Sequence, residues 1–381
     1  MFILDALDEC GGLDNSASDK RKKLLSDIRK WSKLPRGFKL IVTSRDEIDI
    51  RDEFETIPHK ILEIKTGSDV TEESTSDISL YIQDAFKRIK RKHRFRIPPL
   101  PTDWPEIHVE KELAERAGGV FIWAVTALEF IEQGDPVERL YTIQAGGLPS
   151  RGVHALYKQI LGASFPEDTD SSKFVKLASA VIAAQKYLTV EDWEYLLQMD
   201  DQDEGVVKSV HSLLSTVMDA DVVRFRHQSF VDFLLGSNDV ATNHSESGCS
   251  ERFRVDISEG HRTLARESFR LMNSYLCFNT CNIDSSYNPI NRVSTSTHVN
   301  VIAPALAYAC EFWEFHLQHL RPSDRIDTSL ILRFLHETSL YWIESLSVLG
   351  KLNIAVNALD VLRRYLMSTN VSFCPEYVLY G

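Results

Sequence analysis

The sequence predicts an α/β segment at its amino-terminal end, followed by a mainly α-helical remainder. Residues 2–7 and 39–44 are two apolar runs of strand length, and one helical pattern separates them. Strand, helix and strand at this spacing are typical of a βαβ unit with a parallel sheet. From residue 69 onward, apolar side chains recur at helical intervals, which predicts helices.

The predicted β-strands are short and strongly apolar. Residues 2–7 are apolar on both faces, as expected of a central strand in a parallel sheet. The intervening helix, near 19–34, ends at Pro35 because proline cannot continue a helix. Residues 61–64 are predicted to form a third strand.

The next predicted helix is capped by Ser76 or Asp77 and ends in a basic run at 87–96. Such a run can be an RNA-binding or nuclear-import patch. It can equally be a solvated helix terminus, whose positive charges complement the helix dipole. We favour the second interpretation because the rest of the chain is acidic. The stretch 97–105 is rich in proline and is predicted to be a linker. The buried side of the helix is predicted to comprise Ile78, Ile82, Ala85, Phe86 and Ile89.

The later helices are predicted from the same periodicity. Three lie between 153 and 200, and Thr189 with Asp192 has the spacing of a capping box at the start of the last one. A strand is predicted at 221–226, where apolar and charged residues alternate. Helices followed by a small hairpin suggest a winged-helix module. The other helices are predicted at 106–117, 120–132, 204–217, 229–235, 256–277 and most of 300–366, and loops at 238–250 and 279–298.

Composition and charge argue against several classes of protein. The 381 residues are 43% hydrophobic and 26% charged, as expected of a globular protein. A formal net charge of −12 disfavours general binding to nucleic acids or anionic membranes. The six cysteines form no C-x-x-C pair, so neither a zinc site nor a disulfide framework is predicted. No apolar run approaches membrane-spanning length. From the cysteine pattern we expect a cytoplasmic protein.

Three carboxylates, Asp5, Asp8 and Glu9, come at the end of the first strand. Ligands of α/β proteins bind at this carboxyl edge of the sheet. Asp5 is predicted to hold a magnesium ion, directly or through water. Asp8 or Glu9 would orient or activate the water that attacks a γ-phosphate. The alternative is a strand that ends in an acidic turn without a ligand.

Arg45 follows the second strand, after the hydroxyl residues Thr43 and Ser44. An arginine at this strand edge can sense or neutralise a γ-phosphate. An ordinary strand that ends in a polar loop is the alternative. The two strand ends together, separated by one helix, indicate a nucleotide site more specifically than either one alone.

On these motifs the sequence resembles the NACHT class of STAND-type signal-transduction ATPases, in particular the fungal group related to heterokaryon-incompatibility proteins. ILDALDEC at 3–10 resembles the Walker B motif of that class, and KLIVTSR at 39–45 resembles its sensor 1. The segment 114–131 is similar to the helical part that follows the NTPase core. VRFRHQSFVDFLL at 223–235 resembles the end of the winged helix, where the family's histidine contacts the nucleotide's β-phosphate. The resemblance implies this role for His227, which would otherwise be interpreted as a structural residue.

The resemblance implies four regions. These are a partial NACHT core with a P-loop-NTPase-like sheet at 1–68, a helical domain at 69–152, a winged-helix-like domain at 153–237 and a helical region at 238–381. It also implies Mg²⁺ and ATP or ADP as cofactors of the intact family, and hydrolysis of ATP or GTP as its activity. No G-x-x-x-x-G-K-S/T motif occurs in the chain, however. We therefore expect a fragment without the Walker A motif, which binds no nucleotide tightly and hydrolyses none by itself.

A second interpretation is a non-catalytic interaction module. The helical segments over 69–366 would bind protein partners or a second copy through amphipathic faces. DNA binding by the winged helix has little support, because the 204–217 helix offers only Lys208 and His211 as basic residues. We expect protein partners or self-association, no nucleic acid and no membrane.

Overall fold

A computed structural model describes residues 1–10, 19–34, 37–63, 72–145, 152–197, 206–215, 217–219, 221–236, 251–280 and 302–369. The chain divides into two units. Unit 1 comprises Met1–Ser171 and Phe225–Arg254, and unit 2 comprises Ser172–Arg224 and Val255–Gly381. Each unit is therefore built from two separate stretches of the chain.

Within the described ranges the secondary structure is mainly α-helical, with one two-stranded parallel sheet formed by β1 (Phe2–Leu4) and β2 (Leu40–Val42). The α-helices are α1 (Asp19–Trp31), α2 (Ile48–Glu55), α3 (Glu72–Lys92), α4 (Ile107–Ala117), α5 (Phe121–Gln133), α6 (Pro136–Ala145), α7 (Val153–Ser164), α8 (Asp168–Ala183), α9 (Val190–Leu197), α10 (Val206–Leu213), α11 (Gln228–Leu235), α12 (Ile257–Tyr275), α13 (Pro304–Gln318), α14 (Thr328–Arg333), α15 (Ser339–Val348) and α16 (Ala355–Ser368). A π-helical turn, Phe334–Thr338, joins α14 to α15. None of the helices in the described ranges is long and apolar enough to cross a membrane.

The sheet of unit 1 is parallel, with Phe2 opposite Leu40. Its small core contains buried side chains that follow β1 or come from α1, α2 and the residues after α2: Leu7, Leu25, Ile28, Ile50 and Ile57. Phe2, Ile3 and Ile41 nevertheless remain 52%, 65% and 46% exposed. The first strand therefore has the apolar pattern of a central strand, but its two faces are not buried as that pattern predicts. The reason is that the described sheet has only two strands.

Both strands are shorter than predicted. Ala6 adopts a left-handed conformation with φ 53°, which turns the chain out of the strand direction after β1. The predicted third strand at 61–64 is wrong over 61–63, where the chain is irregular and Ile61 and Leu62 are exposed. A short apolar run becomes a strand only where a neighbour pairs with its backbone, and β1 and β2 pair with each other. Residue 64 lies outside the described residues.

Helices α3 to α7 form the larger core of unit 1. The predicted apolar side of α3 is buried, as expected: Ile78, Ile82, Ala85, Phe86 and Ile89. The helix begins at Glu72, however, so Ser76 and Asp77 lie within it and the predicted cap is wrong. Both residues are exposed and have modest helix propensity. Packing of the opposite side of α3 keeps them in the helix.

The basic run at the end of α3 pairs with acidic residues of unit 1. Arg88 and Lys92 lie 3.2 and 3.6 Å from the Glu132 carboxylate. Arg96 pairs with Asp135. These ion pairs reduce the positive charge that the run can offer to a phosphate backbone.

The predicted linker at 97–105 is irregular and exposed over most of its length, with Ile97 94% exposed. It is anchored at one residue. Trp104 is buried, and its ring lies edge-on to Phe86 with a centroid separation of 5.5 Å. The large apolar surface of the tryptophan is what holds this end of the segment in the core.

Unit 2 is built around α12 packed against α13. Trp313, Phe334 and Trp342 form a buried aromatic cluster with pairwise centroid distances of 5.6 Å. The capping box at Thr189 is confirmed: its hydroxyl accepts the Asp192 N–H at 3.2 Å, and the Asp192 carboxylate accepts from the Thr189 hydroxyl at 2.9 Å.

The strand predicted at 221–226 does not form. Within unit 2 the Asp219 N–H donates to the Arg224 carbonyl at 3.0 Å, and the Arg224 guanidinium pairs with the Asp219 carboxylate at 3.0 Å. The chain reverses within these few residues, which leaves no room for a ladder of strand hydrogen bonds. The predicted loops at 238–250 and at 279–298, except residues 279 and 280, lie outside the described residues.

Candidate functional site

The end of β1 is held by Thr43, the residue after β2. The Thr43 hydroxyl donates to the Asp5 carboxylate and accepts the Ala6 N–H at 2.9 Å. The backbone N–H of Thr43 donates to the Leu4 carbonyl at 3.0 Å, and its carbonyl accepts the Leu7 N–H at 3.0 Å. Asp5 is exposed at the carboxyl edge of the sheet. The predicted magnesium ligand is therefore oriented by the neighbouring strand.

Asp8 and Arg45 meet at the same edge. One oxygen of the Asp8 carboxylate accepts the Arg45 N–H at 3.1 Å and the Ser44 hydroxyl at 3.4 Å. The other oxygen lies 3.5 Å from Arg45 Nε. The Asp8 carbonyl accepts from Arg21 of α1 at 2.9 Å. Because both carboxylate oxygens are engaged and the side chain is only 8% exposed, Asp8 serves to position Arg45.

Arg45 also binds α11, which lies 187 residues further along the chain. Arg45 Nη1 donates to the Asp232 carboxylate at 2.5 Å. The other Asp232 oxygen accepts from Gln228 Nε2 at 3.0 Å. The side chain of Asp232 is 8% exposed and that of Arg45 is 39% exposed. This charge-assisted hydrogen bond attaches α11 to the sheet edge.

His227 caps the amino-terminal end of α11. Its Nδ1 accepts the Ser229 N–H at 3.1 Å and lies 2.7 Å from the Ser229 hydroxyl, which lies 2.8 Å from the Tyr157 hydroxyl on α7. A ring nitrogen that accepts a backbone N–H carries no proton, so the neutral ring carries its proton on Nε2. Burial, and then the charge of Arg45, lowers the pKa of His227, which favours this neutral form. Nε2–H is therefore the donor that His227 has for an anionic oxygen.

Glu9 is surrounded by like charges. Partial burial raises the pKa of its carboxyl, and the carboxylates of Asp8, Asp5 and Asp232 act in the same direction, while Arg45 opposes them. These named groups place four carboxylates near one guanidinium. Negative charge therefore predominates among these groups.

The donor set suits a magnesium ion only in part. Within the described ranges, no group of three or more His, Cys, Asp or Glu side chains could hold a metal ion. Magnesium, however, is commonly bound through one or two carboxylates together with water and substrate phosphates. Asp5, with one carboxylate oxygen bonded to Thr43, fits a magnesium ion that phosphates help to hold.

The structure brings Asp8, Arg45 and the helix capped by His227 together, with Asp5 and Glu9 exposed nearby. Two residues of this site, Asp232 and Tyr157, are not among those that the sequence motifs indicate. An aspartate within the apolar stretch 229–235 is the signal that could have revealed Asp232, because such a carboxylate needs a buried partner. Tyr157 gave no such signal, since it lies on the apolar side of a helix like many core tyrosines.

The Tyr157 hydroxyl is expected to stabilise the arrangement at His227. Burial raises its pKa to about 12, so it remains protonated at neutral pH. Tyr157→Phe should lower the free energy of unfolding by about 1 kcal/mol, because the hydrogen bond between the Tyr157 and Ser229 hydroxyls is lost. Urea unfolding at pH 7 measures the change. Tyr141→Phe is the control, since Tyr141 is 72% exposed, and an equal effect of the two variants would contradict the expectation.

Comparison with known proteins gives one informative match. No protein-family model matches the chain, and no solved structure does. The vegetative incompatibility protein HET-E-1 of Podospora anserina is 27% identical over 388 aligned positions, which cover 97% of this chain and 27% of that protein. The chain thus spans about a quarter of the length of this relative. The match supports a distant relationship between this chain and HET-E-1.

Proposed function

We propose that this chain is the nucleotide-sensing part of a NACHT-type signalling switch that acts in fungal incompatibility. The observation that carries the proposal is that the strand-end carboxylates, Arg45 and the helix capped by His227 meet at one sheet edge. The distant similarity to a vegetative incompatibility protein supports it. Under the proposal, residues 1–68 belong to an NTPase core and 153–237 to a winged-helix-like domain. The protein works in the cytoplasm through protein partners or self-association.

Each polar residue of the edge has a role in the proposal. Asp5 would hold the magnesium ion, Arg45 would contact the γ-phosphate, and the Nε2–H of His227 would contact the β-phosphate. Of the two candidates for activating water, Glu9 has the better support. Its raised pKa suits a proton acceptor, whereas both oxygens of Asp8 are already engaged.

The 381-residue chain contains no G-x-x-x-x-G-K-S/T motif, whose backbone N–H groups and lysine hold the β- and γ-phosphates. We propose that this chain by itself contacts a nucleotide through Arg45, His227 and Asp5 alone, binds it weakly and does not hydrolyse it. Magnesium tripolyphosphate presents the same phosphates without the base and is the direct probe of these contacts.

Calorimetric titration of the purified chain tests the proposal. Magnesium tripolyphosphate should bind with a dissociation constant on the order of 1 mM, and Arg45→Gln should weaken binding about tenfold through loss of a charge-assisted contact. Arg363→Gln is the control, because Arg363 has an Asp360 partner at 2.8 Å but lies in unit 2. Binding that ignores Arg45 would contradict the phosphate contact. Micromolar, magnesium-dependent binding of ATP would overturn the proposed weak binding.

The second candidate is a non-catalytic interaction module. Two observations favour it. The helical core of unit 2 fully buries Trp193, Trp313 and Trp342, and the sheet of unit 1 has only two described strands. This candidate predicts that magnesium tripolyphosphate does not bind through Arg45, so the same titration distinguishes the two.

A further inference from the structure

We propose that the carboxyl-terminal end of α3 and the turn after it form a surface that binds the anionic face of a lipid bilayer. We call this surface the basic patch. It consists of four cationic and two apolar side chains: Lys87, Lys90, Arg91, Arg94, Phe95 and Ile97. The inference goes beyond the proposed function and uses none of the residues at the sheet edge. For this one surface it replaces the expectation of no membrane contact, which the overall charge suggested.

The basic patch carries the positive charge that the ion pairs of α3 leave over. Residues 85–102 contain seven lysines and arginines and no aspartate or glutamate. Three of these cations, Arg88, Lys92 and Arg96, pair with acidic side chains of unit 1. The other four form no ion pair with a carboxylate in the described ranges. Their charge is therefore available to an anionic partner.

The four cations lie together because of the helical repeat. Lys87, Lys90 and Arg91 have the i, i+3, i+4 spacing that brings side chains to one side of a helix. Arg94 follows in the turn at the end of the helix, and all four side chains are exposed. The opposite side of α3 is held in the core of unit 1. The cations thus form one cluster on a helix that is fixed by packing.

Phe95 and Ile97 give the basic patch an apolar edge. They are 81% and 94% exposed. Arg96 lies between them in the chain, and its ion pair and its hydrogen bond to the Pro98 carbonyl at 2.8 Å hold the backbone there. The guanidinium carbon of Arg94 lies 4.5 Å from the centroid of the Phe95 ring. Apolar and cationic groups therefore lie side by side on a backbone that is already held in place.

A bilayer surface matches both kinds of group. Clusters of about four to eight lysines and arginines bind anionic lipid headgroups. Exposed aromatic and aliphatic side chains enter the boundary between headgroups and acyl chains. RNA could neutralise the cations and stack on Phe95, but it offers no apolar surroundings to the aliphatic side chain of Ile97. The combination therefore favours a lipid surface over a nucleic acid.

The acidic balance of the whole chain does not prevent this contact. The formal net charge is −12, but a Debye length of about 10 Å in ~0.1 M salt screens carboxylates on distant surfaces. Headgroups that touch the basic patch meet its cations at shorter range. The contact should therefore be local and should weaken as the salt concentration rises.

Vesicle sedimentation with the full chain tests the charge. The chain should bind phosphatidylcholine vesicles that contain about 30% phosphatidylserine in ~0.1 M NaCl, and it should not bind pure phosphatidylcholine vesicles. Replacing all four cations should weaken binding roughly a hundredfold, because each cation near such a surface contributes about fivefold. This variant carries Lys87→Gln, Lys90→Gln, Arg91→Gln and Arg94→Gln.

A matched control removes the same charge from other exposed positions of unit 1. It carries Lys23→Gln, Lys33→Gln, Lys39→Gln and Lys60→Gln. Its net charge equals that of the first variant, so a difference between the two reports on position and not on total charge. The control should bind the vesicles as the unchanged chain does.

A second pair of variants tests the apolar edge. Phe95→Ser with Ile97→Ser keeps every charge and should weaken binding to the phosphatidylserine vesicles about tenfold, since two apolar side chains no longer leave water. Leu340→Ser with Val356→Ser is the control, because these side chains are 75% and 81% exposed in unit 2. It should leave binding unchanged.

Four outcomes would overturn the proposal. The first is that the chain does not bind the phosphatidylserine vesicles. The second is equal loss in the two glutamine variants, because total charge would then govern binding. The third is binding that ignores Phe95→Ser with Ile97→Ser. The fourth is oligouridine RNA that binds through the four cations while vesicles do not, which would assign the surface to a nucleic acid.

None of these measurements involves magnesium tripolyphosphate, so failure of the membrane contact leaves the proposed function untouched. The replaced side chains are exposed, and every variant should unfold at nearly the same temperature as the unchanged chain. Thermal unfolding checks this before binding is compared.

Discussion

Replacing Gly260 by alanine is expected to lower the free energy of unfolding of unit 2 by about 3 kcal/mol. Gly260 lies in the first turn of α12, where this helix crosses α8. A Cβ atom at this position would lie 2.1 Å from the Ser179 carbonyl oxygen and 3.1 Å from the Ala183 Cβ. The first distance is far below van der Waals contact, and the oxygen belongs to the backbone of a helix. The two helices must therefore separate, which opens the core that they share.

The sign of this effect distinguishes packing from helix propensity. Alanine is preferred to glycine in a helix by about 1 kcal/mol, so propensity alone predicts stabilisation. Gly162→Ala is the matched control, because Gly162 is exposed in α7 and a Cβ there would meet nothing within 4 Å. It should raise the free energy of unfolding by up to about 1 kcal/mol. Urea unfolding measures both, and stabilisation by Gly260→Ala would refute the close approach of α12 and α8.

Acidification from pH 7.5 to 5.5 is expected to lower the free energy of unfolding by roughly 1.4 kcal/mol through His316 alone. His316 lies on α13 and is fully buried, and burial, followed by the charges of His261 and His319, lowers its pKa well below the usual value. A lowered folded-state pKa means that the unfolded chain binds the proton more readily. The contribution to stability is therefore complete above the unfolded pKa near 6.5 and is lost progressively as the pH falls below it.

The hydrogen bonds around His316 explain why it cannot accept a proton easily. The Tyr308 hydroxyl accepts the Gln185 N–H at 3.2 Å, so it donates its own proton to His316 Nε2 at 2.8 Å. His316 Nδ1 then donates to His261 Nδ1 at 2.9 Å. Burial raises the pKa of Tyr308, which keeps this donor protonated. A second proton on His316 would break the hydrogen bond from Tyr308. The ring of His319 is stacked on that of His261, with a centroid distance of 4.9 Å, and so lies beside this chain of hydrogen bonds.

Urea unfolding at a series of pH values tests this expectation. His316→Phe removes the titration, so this variant should be less stable at pH 7.5 but should lose less stability between pH 6.5 and 5.5. His336→Gln is the control, because His336 is exposed in the same unit and should leave the pH dependence unchanged. A pH dependence identical in all three proteins would show that His316 does not titrate on unfolding.

Much of the helical structure could be predicted because it depends on local pattern. The buried side of α3 follows from the spacing of apolar residues along one helix, and the capping box at Thr189 from a hydroxyl and a carboxylate three residues apart. The failures have different causes. The strand predicted at 61–64 has no pairing partner over 61–63, and pairing depends on contacts between segments. The strand predicted at 221–226 is replaced by a local reversal between Asp219 and Arg224. The burial of Trp104 at the end of the predicted linker again depends on contacts between segments.

The candidate site divides in the same way. The sequence by itself determined that Asp5, Asp8, Glu9 and Arg45 follow two neighbouring parallel strands, because parallel strands bring their carboxyl ends to one edge. Only the tertiary structure decided that Arg45 binds Asp232 and that the Tyr157 hydroxyl lies beside the Ser229 hydroxyl next to His227. Those contacts join residues 187 and 72 positions apart. No local pattern encodes them, since the packing of α11 against α7 and the sheet edge determines which side chains meet.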